Sequence, residues 1–194
     1  MQLLKPTGAD STAVGEDALV ERASRGDADA FADLYERYLA RMYRYFYYRT
    51  GHREDAEDMS EQVFLKAWQA LPRYNCRGAP FSAWLFRLAH NLLIDRARTH
   101  RRGEPLEEAL DVEDGDAGPE ELAVRRAEAR ELASAVSRLS AVEQTVLTLR
   151  FIEGMDHRTV SSIIGKSEVA TRSIQSRALA RLARMLASPE RNEP

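Results

Sequence analysis

Apolar side chains recur along this chain at intervals of three and four, and no segment shows a convincing strand alternation bounded by hairpin turns. Asp27 is of the residue type that caps helix N-termini. After it come Phe31, Leu34, Tyr35, Tyr38, Met42, Tyr45 and Phe46. That spacing predicts one helix with a single buried stripe, closed by Gly51 as C-cap. A second helix is predicted from Arg53, with Ala56, Met59, Val63, Phe64, Ala67 and Leu71 on a broad face and Pro72 ending it. Pro80 sits where a helix can start. Phe81, Trp84, Leu85, Leu88 and Leu92 then make a third stripe. Pro119 opens a further helix to about Leu139. Ser140 and Glu143 form a capping box ahead of Val142, Val146, Leu149 and Ile152, and Gly154 stops that helix. Two more helices follow, Asp156 to Ile164 and Ser167 to about Leu186. The predicted fold class is all-α, in two small helical domains.

Charge adds a boundary. The chain has 194 residues and a formal net charge of −3, a length that suits one domain or two small ones. The average hides three unlike blocks. Residues 1–102 hold 16 basic and 14 acidic side chains, residues 103–124 nine acids and no base, and residues 125–194 12 basic and eight acidic side chains. The middle block also carries three Gly and two Pro. Like charges with Gly and Pro favour an extended, solvated linker, and structureless loops this long are uncommon inside compact domains. The predicted organisation is a flexible tail at 1–17, a helical domain at 18–102, an acidic linker at 103–118, a second helical domain at 119–187 and a tail at 188–194. The single cysteine, Cys76, rules out an intrachain disulfide. No apolar run approaches the roughly 18–20 residues of a membrane span, and the N-terminus has no secretory signal pattern. A cytoplasmic protein without membrane insertion is expected.

Four segments carry candidate chemistry. The last helix pair, turning at Gly165, has helix-turn-helix grammar. From His157 to Leu186 six basic residues (Arg158, Lys166, Arg172, Arg177, Arg181, Arg184) face one acid, Glu168. Ala170, Ile174, Ala178 and Leu182 share the inward face of its second helix. Arg172, Ser173, Ser176 and Ala180 lie opposite, where small and basic side chains can approach base edges. Arg177, Arg181 and Arg184 flank that face at phosphate positions. A solvated basic αα-hairpin is the plainer alternative. The segment 82–102 ends in Arg96, Arg98, Arg101 and Arg102, which suits either a helix C-terminus or single-stranded nucleic acid. The segment 53–68 opens with Glu54, Asp55, Glu57, Asp58 and Glu61. These acids suit a solvated first turn or a docking face for a basic partner. Five aromatics within residues 43–48 fit an aromatic-rich core helix better than a base-stacking platform.

An enzyme reading finds little. His52, His90, His100 and His157 are scattered, with no metal-ligand spacing, and Cys76 has no His partner in sequence. There is no GxSxG, P-loop or GxGxxG motif. No cofactor and no catalytic residue are expected. A helix-turn-helix repressor or activator acting without polymerase would explain residues 140–186, but would leave the acidic and basic helices of the first domain without a task.

The order of these segments resembles the extracytoplasmic-function (ECF) group of bacterial RNA polymerase sigma factors, small sigma-70 relatives with only regions 2 and 4. The strings REDAEDMSEQVFLKAW and PFSAWLFRLAHNLLIDRARTHRR resemble region 2. LSAVEQTVLTLRFIEGMDHRTVSSIIGKSEVATRSIQSRALARL resembles region 4, a helix-turn-helix. The resemblance covers about residues 18–102 and 120–186, and it implies a non-catalytic promoter-specificity subunit that binds core RNA polymerase. Its partners would be the clamp helices of the largest subunit and the flap of the second-largest, with promoter DNA and an inhibitory anti-sigma factor. It implies that Asp55, Asp58, Gln62 and Phe64 dock on polymerase. Arg73, Asn75, Arg77, Arg96, Arg98 and Arg101 would serve the minus-10 element, the loop 73–82 capturing a flipped base as the duplex melts. Arg158, Lys166, Arg172, Ser173, Ser176, Arg177 and Arg181 would serve the minus-35 element. The acidic linker would resemble region 3.2, and no C-terminal regulatory domain is expected. Glu61-Gln62 reverses the commoner order of the family, and Val169 stands where many relatives have Gly. The binding mode carries over; the promoter sequence does not.

Overall fold

The structure, a computed structural model, describes residues 11–75, 79–99 and 131–187. The acidic linker 103–118, the predicted helix start at Pro119, Arg77 and Arg101 lie outside the described residues.

Helix α1 spans Ser11–Ser24, α2 Ala28–Thr50, α3 Arg53–Ala70 and α4 Phe81–Thr99. A short 3₁₀ turn, Leu71–Arg73, follows α3 and contains Pro72. Residues 131–137 form α5. Then come α6 Ala141–Leu147, a π-helical turn Thr148–Ile152, α7 His157–Ile164 and α8 Glu168–Ala187. No strand occurs among the described residues.

The local chemistry that predicts the helix ends is in place. The Asp27 carboxylate accepts the Ala30 N–H at 3.1 Å, and Asp156 accepts that of Thr159 at 2.7 Å. These bonds satisfy donors that the first helical turn leaves open. Gly51 and Gly165 close α2 and α7 at φ 72° and 66°, in the left-handed region where a Cβ is disfavoured. At α6, Glu143 reaches back to the Ser140 N–H at 2.9 Å, completing the predicted capping box.

Two boundaries differ from expectation. Helix α1 begins at Ser11, inside the expected tail 1–17. Glu16 is held there by the Tyr38 hydroxyl, which donates at 2.8 Å, and by Arg37, so the first domain starts before residue 18. The helix after Ser140 also does not run evenly to Gly154. Beyond Leu147 it widens, and Glu153 N–H bonds back to Thr148 O, five residues earlier. Leu149 stays fully buried while Phe151 and Ile152 turn out to solvent. Ile152, expected on the buried stripe, is therefore exposed.

The core is one contiguous cluster. It joins the stripes of α2 and α3 with Phe81, Ala83, Leu85, Phe86, Ala89, Leu92 and Leu93 of α4, and it continues into Val146, Leu149, Met155, Val160, Ile163 and Ile174. The two halves thus pack directly, α4 against α7 and α2 against α6. A satellite cluster of Ala135, Leu139, Leu147, Ala178 and Leu182 ties α5 and α6 to α8.

Candidate nucleic-acid and polymerase interfaces

On α8, Thr171, Ile174, Ala178 and Leu182 are buried. Thr171 takes the inward place expected of Ala170, which is half-buried. The Thr171 hydroxyl donates to Ser167 O at 3.0 Å, so its burial leaves no polar group open. Arg172, Ser173, Ser176, Arg177 and Ala180 face solvent, with Lys166 beside them in the turn and Arg158 exposed on α7. Ser173 and Arg177 bond to their own helix backbone, and Arg172 pairs loosely with Glu168 at 3.8 Å. This is a solvent-facing, cationic helix surface with small side chains at its middle, the geometry a major groove accepts.

Arg181, expected at a phosphate position, is engaged within the protein. Its guanidinium donates to Glu143 at 2.7 Å and to Arg138 O at 3.3 Å, pinning α8 to the start of α6. Glu143 is held below the usual carboxylate range, first by its hydrogen bonds with Ser140 and then by Arg181.

On α3 the exposed face carries Asp58, Glu61, Gln62 and Leu65. Phe64, expected on the polymerase-docking surface, is only 3% exposed. It packs on Phe31 and Tyr35, with ring centroids 6.5 and 4.6 Å away. Residue 64 lies well round the helix from the Asp58–Gln62 line, so its ring turns into the core. Leu65 occupies the apolar place on that line and is 58% exposed. Asp55 is half-buried and pairs with Arg96 of α4. A residue expected to dock and one expected to hold DNA are thus joined to each other.

The loop before α4 is braced by Tyr74. Its hydroxyl donates to Ala79 O at 2.7 Å, and its ring lies 4.7 Å from Trp84 and 6.1 Å from Phe81. Trp84 is half-buried, and Arg73 and Asn75 on the near arm of the loop are exposed. Arg98 extends into solvent at the end of α4, with Asp95 4.0 Å away. Arg73 and Asn75 thus sit at the N-terminal end of α4, and Arg98 at its C-terminal end.

Sequence reasoning missed the polar seam between the halves. Arg41 Nε donates to Glu153 at 2.8 Å, and its guanidinium lies over Tyr38 and Phe86, 5.0 and 5.4 Å from the ring centroids. Arg49 donates to Ala141 O and, at 2.6 Å, to Thr145 Oγ1. Tyr45 beside it has its hydroxyl pKa pushed up to about 12 by burial, against the pull of Arg49 and Thr145. His90, treated as one of four scattered histidines, is 8% exposed. Burial, reinforced by Arg49, holds its pKa below the usual imidazole value. One sequence signal existed: an Arg at i+4 from a core Tyr sits next to a buried stripe, where charge needs a partner.

The sigma-70 region 2 family model matches residues 34–103, and the sigma-70 region 4 model matches residues 135–184. The chain is 38% identical over 180 residues to the ECF RNA polymerase sigma factor BldN of Streptomyces coelicolor, covering 92% of this chain and 68% of that protein. It is 33% identical over 172 residues to SigD of Mycobacterium tuberculosis, covering 86% of this chain and 81% of the relative. Among solved structures, CnrH in complex with the cytosolic domain of CnrY aligns with a TM-score of 0.69 at 24% identity, over 90% of this chain and 99% of that one. The sigma factor RpoE of Bartonella quintana, in complex with the anti-sigma factor NepR, aligns with a TM-score of 0.66 at 21% identity, over 82% and 98%. The last two similarities describe the fold. The chain belongs to the ECF RNA polymerase sigma factors, which bind core RNA polymerase and recognise promoters.

Proposed function

We propose that three surfaces divide this work. The α3 face of Asp58, Glu61, Gln62 and Leu65 docks on a basic groove of core polymerase. Arg73 and Asn75 before α4, with Arg98 at its far end, meet the minus-10 element, the loop before α4 capturing an unstacked base. The outer face of α8, with Arg172, Ser173, Ser176 and Arg177, reads the minus-35 element, flanked by Lys166 and Arg158. The protein acts in the cytoplasm with no catalysis of its own, and an anti-sigma factor is its inhibitory partner, as RpoE is found in complex with the anti-sigma factor NepR. One observation carries the reading: a single chain presents an exposed acidic–apolar face on α3, exposed cations at both ends of α4 and a cationic outer face on α8.

Run-off transcription with core polymerase tests it. Promoter fragments from the source genome should give defined transcripts, and Asp58→Lys with Leu65→Ser should abolish them by weakening core binding. Absence of any transcript from selected fragments, or unchanged core affinity in the double variant, would overturn the assignment.

A further inference from the structure

Among the exposed large apolar side chains of the described residues, Val169 is the barest, at 75%. It stands in the first turn of α8, whose start Ser167 fixes. The serine Oγ accepts the Ala170 N–H at 3.2 Å, and Ser167 O accepts that of Thr171 at 2.9 Å. At about 100° per residue, Val169 lies nearly opposite the buried Thr171, Ile174, Ala178 and Leu182. It therefore shares the outer face with Ser173 and Ser176, one and two turns further on. Ser173 Oγ donates back to Val169 O at 3.0 Å.

The polar and cationic neighbours of Val169 can bond to phosphates and base edges, and its own side chain cannot. Set against a phosphate, it would strip water from a charged oxygen and return no hydrogen bond. The floor of the major groove offers one apolar partner, the C5-methyl group of thymine. Helix geometry brings the valine to that floor. In a helix-turn-helix the N-terminal residues of the second helix meet base edges. A helical Cα–Cβ bond tilts toward the N-terminus, so the valine methyl groups lean toward the leading end of α8. A β-branched side chain holds one strongly preferred χ1 in a helix, so these methyl groups lose little freedom on contact. Lys166 in the turn and Arg172 one turn on are exposed beside it and supply the charge that draws this end to DNA.

We propose that Val169 is a specificity-determining residue of the minus-35 contact, packing its methyl groups on the C5-methyl of a thymine. This rests on α8 being the helix that reads that element. Contact takes the thymine methyl out of water, and loss of one such group weakens binding about fourfold.

The test uses holoenzyme reconstituted from the full chain and core polymerase, on a promoter fragment selected by transcription from the source genome. Each thymine of the minus-35 element, on either strand, is replaced in turn by deoxyuridine, which removes the C5-methyl group and keeps the base pair. At one position the replacement should weaken wild-type binding about fourfold. Val169→Ala should weaken binding to the unmodified fragment by a similar factor and show no further loss with deoxyuridine at that position, the non-additivity of two groups in contact. Its urea unfolding should match that of the wild type, because the side chain lies outside the core. Unchanged wild-type affinity at every deoxyuridine, or an equal deoxyuridine penalty in Val169→Ala, would overturn the contact. Replacing the whole minus-35 element separates this from the wider assignment. If that replacement abolishes promoter binding while no deoxyuridine matters, α8 still reads the element and the valine contact alone falls. If it changes nothing, the minus-35 assignment falls and the valine contact with it.

Discussion

Phe64 and Leu65 are neighbours with opposite tasks. Phe64 fills space between α2 and α3, whereas Leu65 stands in solvent on the docking face. Phe64→Ala should destabilise the fold by about 3–5 kcal/mol through the cavity it leaves. Leu65→Ala should shift stability by no more than about 0.5 kcal/mol while weakening core binding. Urea unfolding and core-binding titrations of both variants separate the two effects, and a large stability loss in Leu65→Ala would refute the division. Arg181 is the second case. Arg181→Ala should destabilise α8 on α6 by about 1 kcal/mol, a modest figure because the guanidinium is partly solvated. The salt slope of duplex DNA binding should stay unchanged, and a slope smaller by about one would restore the phosphate role. Acid should imitate that substitution. The Glu143 pKa is depressed in the folded protein, so its stabilisation is complete above its unfolded value of about 4.5 and is lost as pH falls through the folded value. The identities of these residues were legible in the sequence, but their partners were not. A helical period places Phe64 on the apolar stripe and cannot say that an Arg 38 residues beyond Glu143 closes on it.

At the scale of elements, the single-stripe reading works where a helix leans on one side of the core. It anticipates every large buried residue of α3, and on α2 it misses only Ala30. It fails on α4, because that helix is packed on two sides. Phe81 and Phe86 meet Tyr38 and Tyr45 of α2, and α3 lies alongside. Ala89, His90 and Leu93 are buried as well, and α7 covers part of the helix. The sequence of α4 is apolar enough for this, but a broad apolar arc does not reveal which neighbour lies on which flank. The π turn was equally hidden. Nothing in Thr148–Ile152 departs from ordinary helical propensity, and the wider turn is accompanied by tertiary bonds, with Arg150 reaching Met155 O and Gln175. The helix-turn-helix was legible because its signals are local: the Asp156 cap, Gly165 at positive φ, and small residues opposite an apolar stripe.

At the scale of the molecule, the charge blocks divide the chain into two basic halves around an acidic stretch, and they suggest halves that do not touch. The contiguous core says otherwise, and this has a consequence for unfolding. Both tryptophans, Trp68 and Trp84, lie in the first half, so their fluorescence reports that half alone, whereas far-UV circular dichroism reports the helices of both. Residues Val146, Leu149, Val160, Ile163 and Ile174 are shared with the first half's core, so removing either half exposes apolar surface on the other. The two probes should therefore trace one coincident urea transition in the wild type, the signature of a single cooperative unit. In Glu153→Arg the halves should uncouple. The short α5–α8 half buries little apolar area by itself and should melt at lower urea, so the dichroism curve should move ahead of the fluorescence curve and broaden, because each separated unit exposes less surface and has a smaller slope. Separate transitions already present in the wild type would show that contact between the halves does not carry folding cooperativity. Coincident transitions retained in Glu153→Arg would assign the coupling to the apolar core alone and leave the Arg41–Glu153 pair without a part in it.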